Sequence, residues 1–455
     1  MTTCPPKHEL RLQDPYAEKL RDLSYDAANQ CVQCGYCLPA CPTYESMGKE
    51  SASPRGRINL VKMAAEGKID IQKDLAKPID LCLGCRACEV ACPVDVPYAK
   101  IYEAAKEVIA EKQEEARVQE ERIKKSSNFQ SKLRDTILKN VFPHKGRLRL
   151  IGNVTWLYQQ AGVNKLVRKT KAINQISEPM AQFEKVLPRL EFPGKRNKWG
   201  STIPAKGEKK ARVAFFAGCI MDAMMYQINR QTVELLCLVG CEVIIPNQQN
   251  CCGALHAHQG LTNQARTLAQ ANIEAFEQSG ADYYINNAGG CGAMLCEYDK
   301  LFENDEQWYA RAKDFVSKSR DITEILVQYG PLPFQKEYHG IITYQDSCHL
   351  RNVQKVSDEP RLLLQSVPGA TFIEMKGSDR CCASGGIYNI LHFNESMNIL
   401  DEKMKHVKET KATTIVTTNP GCLLQMKLGV ERQGSSSDIR SLHLVEVLAE
   451  ACGIR

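Results

Sequence analysis

Apolar and polar positions divide the last 245 residues into a regular series of strands and helices. Arg212-Val-Ala-Phe-Phe-Ala217 reads as a buried strand that leads into Gly218 and Cys219. The spacing from about Asp222 to Val239 predicts a helix, with Gly240 as its C′ stop. Glu242-Val-Ile-Ile245 predicts a strand that Pro246 ends, and a helix from about Thr262 to Ser279 stops at Gly280. Asp282-Tyr-Tyr-Ile285 predicts a third strand opening into Asn287-Ala-Gly-Gly-Cys291. The order then repeats: Ile341-Ile-Thr-Tyr344 precedes Cys348, Thr371-Phe-Ile373 precedes Cys381-Cys382, and Thr414-Ile-Val-Thr417 precedes Asn419-Pro-Gly-Cys422. Two consecutive α/β units are expected, over 211–330 and 331–455.

Upstream the pattern is helical. EEARVQEERIKKSSNFQSKLRDTILKN favours helix up to Pro143. Leu148, Ile151, Trp156 and Leu157 then alternate with Arg147 and Arg149, and Val163, Leu166 and Val167 lie beside Arg168 and Lys169. This amphipathic basic pattern leaves two readings open: packing against the other domains, or docking to a membrane surface or partner subunit. PGKRNKWGSTIPAKGEKKAR closes the stretch as an exposed linker, so 111–210 is expected to be a helical segment and linker. Residues 1–110 contain the helix-favouring run Arg57-Ile-Asn-Leu-Val-Lys-Met-Ala-Ala-Glu66. The fold class expected is therefore α+β and multidomain.

Composition narrows the chemistry. Of 455 residues 21 are cysteine, about 4.6 %, below the roughly 8–10 % of a disulfide scaffold. A net charge of +6 singles out neither nucleic acid nor membrane, and 43 % hydrophobic with 25 % charged residues is globular. No apolar run approaches the ~18 residues of a membrane span. The first thirty residues carry no apolar export signal and no twin-arginine pair. A cytoplasmic location is expected, in which thiols stay reduced and so many of them point to metal.

Cys31-x2-Cys34-x2-Cys37-x3-Cys41-Pro42 recurs as Cys82-x2-Cys85-x2-Cys88-x3-Cys92-Pro93, with an offset of 51 residues at all four cysteines. This is the bacterial ferredoxin spacing for two [4Fe–4S] clusters, in which the cysteine before proline ligates the other cluster. Cluster one is expected to use Cys31, Cys34, Cys37 and Cys92, and cluster two Cys82, Cys85, Cys88 and Cys41. Zinc is satisfied by four cysteines, and eight at doubled spacing exceed that need. The ~40 residues between the motifs favour a helical domain over the small β-rich ferredoxin.

The repeat carries a second system. Cys219-x31-Cys251-Cys252-Gly253-x37-Cys291 is matched by Cys348-x32-Cys381-Cys382-Ala383-x38-Cys422, with offsets of 129, 130 and 131 residues. Each group follows a strand, so the thiols should gather at the carboxyl ends of parallel sheets, where open α/β folds place their sites. They suit one or two further iron–sulfur clusters, zinc, or a redox or partner-binding cleft.

The paired pattern resembles the cysteine-rich CCG domains of heterodisulfide-reductase-like proteins. With its ferredoxin module, the chain resembles the iron–sulfur subunit of glycolate oxidase through CVQCGYCLPACPTY, SPRGRINLVK, DLCLGCRACEVACP, VAFFAGCIMD, NCCGALHAHQG, NAGGCGAML, YQDSCHLRN, RCCASGGIYNI, NPGCLLQMKLG, FPHKGRLRL and LYQQAG. The resemblance implies an electron-transfer subunit that serves FAD-binding partners oxidising glycolate, or a similar 2-hydroxy acid such as lactate. It implies a membrane quinone as acceptor and a peripheral place on the inner face of the membrane. Related alternatives are the iron–sulfur subunit of anaerobic glycerol-3-phosphate or lactate dehydrogenase, and a thiol/disulfide reductase acting at the vicinal cysteines.

Two departures stand out. Ala383 replaces the glycine after the cysteine pair and would be strained if φ is positive there. Met294 and Gln425 take the place of a closing Cys-x2-Cys. His256, His258 and His349 are candidate metal ligands or hydrogen-bond donors to sulfur. Arg55 and Arg57 either raise the potential of a cluster or form surface ion pairs. Cys237 and Cys241 are expected to be buried fillers; Cys4, Cys296 and Cys452 have no expected role. No GxGxxG follows a strand and no P-loop occurs, so carbon chemistry is expected on another subunit.

Overall fold

Proline sets the start of three N-terminal helices. Pro15 follows the capping Asp14, Pro42 follows Cys41, and Pro54 follows Ser53, whose hydroxyl accepts from Gly56 N at 3.0 Å. Proline at the first helical position sacrifices an amide that has no intrahelical partner anyway. A computed structural model describes residues 14–124, 140–170, 173–174, 177–198, 201–435 and 438–454. Cys4 and most of the charged helix-favouring stretch, 125–139, lie outside the described residues.

The chain divides into two compact units, 1–135 with 255–264, and 136–254 with 265–455. The described part of the first unit's N-terminal segment contains helices and no strand, as its sequence led us to expect. Helices Pro15–Asn29, Pro54–Ala65 and Tyr98–Lys124 meet over Leu20, Ile58, Val61, Ile101 and Val108. The segment 255–264, from the first repeat, groups with this unit and brings in His256, His258 and Thr262, whose hydroxyl donates to Glu107 at 2.7 Å.

The second unit holds two sheets. The first comprises β1 (Thr202–Ile203), β2 (Ala211–Phe215), β3 (Cys241–Ile244), β4 (Tyr283–Asn286) and β5 (Ser319–Asp321), in the order β1-β3-β2-β4-β5. The second comprises β6 (Gly340–Tyr344), β7 (Ala370–Phe372), β8 (Thr414–Thr417) and β9 (Arg440–His443), in the order β7-β6-β8-β9. All pairings are parallel except that of the edge strand β1. The duplication read from cysteine spacing thus extends to topology. Each copy also has a fourth strand that the apolar pattern does not reveal, because Ser-Arg-Asp and Arg-Ser-Leu-His are short and largely polar. Both strands run into a capping box, Asp321 with Glu324 and His443 with Glu446.

The single helix expected from Asp222 to Val239 is instead two, Ile220–Met224 and Tyr226–Leu238, broken at Met225. The break accompanies a bidentate pair in which Arg149 donates to buried Asp222 at 2.7 and 3.1 Å. This pair ties the first turn to helix Lys145–Gln160. That helix buries Leu148 and leaves Leu150, Ile151, Val154 and Leu157 exposed, so inward packing accounts for only part of its apolar face. No described helix is long and apolar enough to cross a membrane.

The two equivalent caps have opposite pH dependence. Burial raises Asp321 to about 7 and lowers His443 to about 4. Asp321 favours folding below pH ~4, and this contribution is lost as pH rises towards 7. His443 must stay neutral, so its contribution grows as pH rises from about 4 to 6.5. Asp321→Asn should therefore gain stability over the parent between pH 5.5 and 8, by on the order of 2 kcal/mol. Denaturant melts at the two pH values check this, and an advantage that does not grow with pH would contradict it.

Candidate metal centres

Three thiols within seven residues can face one point only if the chain between them reverses. In the first motif Gln33 (φ 59°) and Gly35 (φ 89°) are left-handed; in the second, Gly84 (φ 61°) and Arg86 (φ 60°) hold the same two positions. The motifs thus share one backbone path while exchanging which position is glycine. At Gly35 a Cβ would lie 3.0 Å from Arg55 Nη1, which itself donates to Gln33 O at 3.2 Å.

The loops line two clefts. One, of about 410 Å³, gathers Cys31, Cys34, Cys37 and Cys92, with Cys88 in its wall. The other, of about 300 Å³, gathers Cys82, Cys85, Cys88 and Cys41. Cys92 therefore stands with the first motif and Cys41 with the second. Cys88, Tyr98 and Pro54 line both. Donors reach the sulfurs: Gln33 Nε2 to Cys31, Val96 N to Cys92, and Gly84 N and Tyr98 Oη to Cys82, each at 3.4 Å. A thiol-lined cleft with N–H and O–H groups aimed at sulfur fits a thiolate-bound cluster.

The two candidate arginines separate. Arg55 lines the first cleft and pairs with Glu50 at 2.8 Å, so it is both a cleft residue and a half-exposed ion pair. Arg57 lines the second cleft and is 1 % exposed, donating to Pro78 O at 2.8 Å and to Thr43 Oγ1 at 3.2 Å. Burial would lower its pKa, but Cys82, Tyr98 and Cys41 raise it overall. Sequence reasoning missed Tyr98, whose place after Cys92-Pro93 carries no motif.

In the repeat, Cys219, Cys251-Cys252 and Cys291 follow the carboxyl ends of β2, β3 and β4; Cys348, Cys381-Cys382 and Cys422 follow those of β6, β7 and β8. Cys251 contacts Cys219 and Cys252, and Cys252 contacts Cys291; in the second copy Cys382 contacts Cys381 and Cys422. Cys219 is raised by its bond with Cys251 and by burial, so loading a metal here would have to displace protons. Among the described residues no three His, Cys, Asp or Glu side chains stand close enough to hold a single metal ion.

The copies meet at these loops. Gly289 N donates to Thr418 O and Gly290 N to Asn419 Oδ1, both at 3.0 Å, and a Cβ at Gly289 would lie 2.3 Å from Ser347 Oγ. They also differ. Asn272 donates to Cys251 O at 3.0 Å, whereas its counterpart Lys403 is a buried ammonium that donates to Gly377 O and to Arg380 O, the latter at 2.8 Å. Burial lowers Lys403 to about 8, against attraction by the thiols of Cys382 and Cys381. Aligning the two copies position by position would have exposed this exchange.

His349 sits on the short helix Cys348–Asn352, while His256 and His258 belong to the other unit. Cys237, Cys241 and Cys452 are buried in the core, and burial pushes partly exposed Cys296 up to about 12. Gln425 is a buried hydrogen-bonding residue; it accepts from Asn389 at 3.0 Å and donates to Ser396 at 2.9 Å.

A 4Fe–4S dicluster domain matches residues 27–96, and a cysteine-rich domain, CCG, matches 213–296 and again 342–427. The linker region of the glycolate oxidase iron–sulfur subunit matches 129–187. A probable glycolate oxidase iron–sulfur subunit of Bacillus subtilis is 46 % identical over 93 % of this chain and 94 % of its own length. The chain belongs to the glycolate oxidase iron–sulfur subunit family. An Escherichia coli glycolate oxidase iron–sulfur subunit is 26 % identical over 97 % of the chain and 99 % of its own. Lactate utilization protein A of Oceanobacillus iheyensis is 36 % identical over 52 % of the chain and 96 % of its own. As a member of this family the chain is an iron–sulfur, electron-transferring component of an oxidoreductase.

Ala383 takes φ 65° where Gly253 takes φ 89°. It is held there by Ser396, whose hydroxyl donates to Ala383 O at 2.8 Å while accepting from Gln425. A left-handed alanine costs about 1 kcal/mol relative to glycine. Ala383→Gly should raise the melting temperature by a few degrees, and Gly253→Ala should lower it; calorimetry showing the reverse signs would contradict strain at this site.

Proposed function

We propose that this chain is the electron-transfer subunit of a glycolate (2-hydroxy acid) oxidase, serving FAD-binding partner subunits that oxidise the substrate and delivering electrons to a membrane quinone. One observation carries the reading: two thiol-lined clefts share walls in one helical unit, each completed by a cysteine of the other motif. In this assignment cluster one is held by Cys31, Cys34, Cys37 and Cys92, and cluster two by Cys82, Cys85, Cys88 and Cys41. When bound, such clusters supply one-electron storage and transfer. The residues around them keep the sulfurs hydrogen-bonded and the two sites adjacent. The repeat thiols, Cys219, Cys251, Cys252 and Cys291 with Cys348, Cys381, Cys382 and Cys422, are assigned to a further iron–sulfur centre.

Absence of a flavin or nicotinamide signature in the sequence supports placing hydride removal on the partners. The vicinal pairs are buried, with Cys251 and Cys381 at 3 % exposure, which gives a disulfide substrate poor access and disfavours the reductase reading.

Iron analysis of anaerobically purified protein should exceed about 8 per chain if the repeat also carries a cluster. In the assembled complex, Cys34→Ser or Cys85→Ser should abolish quinone reduction while substrate still reduces the flavin; loss of flavin reduction would contradict the division of labour. Cys92→Ser should disturb the same electron paramagnetic resonance signal as Cys34→Ser, and Cys41→Ser the same one as Cys85→Ser. The opposite pairing would overturn the crossed ligand assignment.

A further inference from the structure

Each cleft of the helical unit has one arginine already neutralised by a carboxylate. Arg55 at the first pairs with Glu50, and Arg86 at the second pairs with Glu89 at 2.7 Å. These two charges cancel locally and do not distinguish the sites. The second cleft has in addition Arg57, whose hydrogen bonds go to the carbonyl of Pro78, the hydroxyl of Thr43 and the sulfur of Cys41, none of them a carboxylate. No carboxylate pairs with it among the described ion pairs, and the ionisable groups it faces are Cys82, Tyr98 and Cys41. Removing a guanidinium from water without an opposing charge is costly unless an anion stands beside it in the working protein. A four-thiolate iron–sulfur cluster in this cleft is such an anion.

From this asymmetry we infer that Arg57 is the positioning charge that sets the reduction potential of the cluster held by Cys82, Cys85, Cys88 and Cys41, leaving its neighbour nearly untouched. The inference rests on the ligand assignment proposed above. One-electron reduction adds one negative charge to the cluster, and a fixed cation nearby stabilises the reduced form and raises the potential. The second cleft needs that help more. Cys41 is buried, whereas Cys34, in the first cleft, is exposed and leaves water to solvate the added charge. Thr43 and Pro78 hold the guanidinium in place, so its charge is present before the electron arrives and no reorganisation is required.

The test is a dithionite titration of the purified, fully loaded protein with redox mediators, following the two cluster signals by electron paramagnetic resonance. Cys34→Ser and Cys85→Ser identify which signal belongs to which cleft, so failure of the ligand assignment is read separately. Arg57→Gln should lower the reduced-to-oxidised ratio of the second-cleft cluster at least tenfold at fixed potential, equivalent to about 59 mV for one electron. The first-cleft signal should move much less. Arg57→Lys, which keeps a cation but loses the fork on Thr43 and Pro78, should give a smaller shift in the same signal. Glu50→Gln, at a half-exposed side chain of the other cleft, should raise only the first-cleft cluster. Unchanged midpoints in both Arg57 variants, or equal shifts in both signals, would overturn the inference. Loss of iron from both variants would overturn it in favour of a purely structural arginine.

Discussion

Short loops that must turn several sulfurs towards one point govern this protein. Within the two ferredoxin-type motifs the requirement is met by paired left-handed residues, Gln33 with Gly35 and Gly84 with Arg86. Non-glycine residues rarely occupy that region, so one in each motif, at alternate members of the same pair of positions, shows how strongly the turn between the thiols dictates the backbone. The same demand recurs after the vicinal cysteines of the repeat, at Gly253 and Ala383. Helices and sheets around these loops serve to hold their ends: prolines start helices directly after Cys41 and Ser53, and parallel strands deliver Cys219, Cys291, Cys348 and Cys422 from adjacent positions.

Duplication has kept the path of the chain and changed its surroundings. Gly253 rests against Ala265, whereas Ala383 is held by Ser396 and, behind it, Gln425. Asn272 bonds the loop as a neutral amide, whereas Lys403 does so as a buried cation. The first copy therefore ties this loop through a neutral amide, and the second places a positive charge near Cys381 and Cys382. The close approach of Gly289 and Gly290 to Thr418 and Asn419 keeps both sets in one compact unit. A side chain on Gly289 would strike Ser347, so the glycines there serve packing between copies more than local turning.

Charge placement is the second theme. Arginines at the ferredoxin clefts occur both with and without carboxylates, and the difference is one of burial. Glu50 reaches Arg55 at a half-exposed position and Glu89 reaches Arg86, while Arg57 lies fully buried, where a carbonyl, a hydroxyl and the Cys41 sulfur accept from it and no carboxylate does among the described ion pairs. Family membership supplies the iron–sulfur chemistry, and the arrangement of these side chains makes the two clefts electrostatically unequal.

Sequence alone determined the cysteine systems, the duplication, the helical character of the N-terminal segment and three strands in each copy, of five in the first sheet and four in the second. Ligand spacing and apolar periodicity are local properties, written in consecutive residues. Tertiary structure decided what depends on distant partners. The strands Ser319–Asp321 and Arg440–His443 have little apolar pattern and are defined by pairing with β4 and β8. The helix after Cys219 breaks at Met225, one turn beyond Asp222, which pairs with Arg149, 73 residues away. Arg55 and Arg57, two positions apart in one motif, have the same side-chain chemistry; only the fold leaves one beside a glutamate and buries the other among thiols, because burial and counter-charge are supplied by residues elsewhere in the chain.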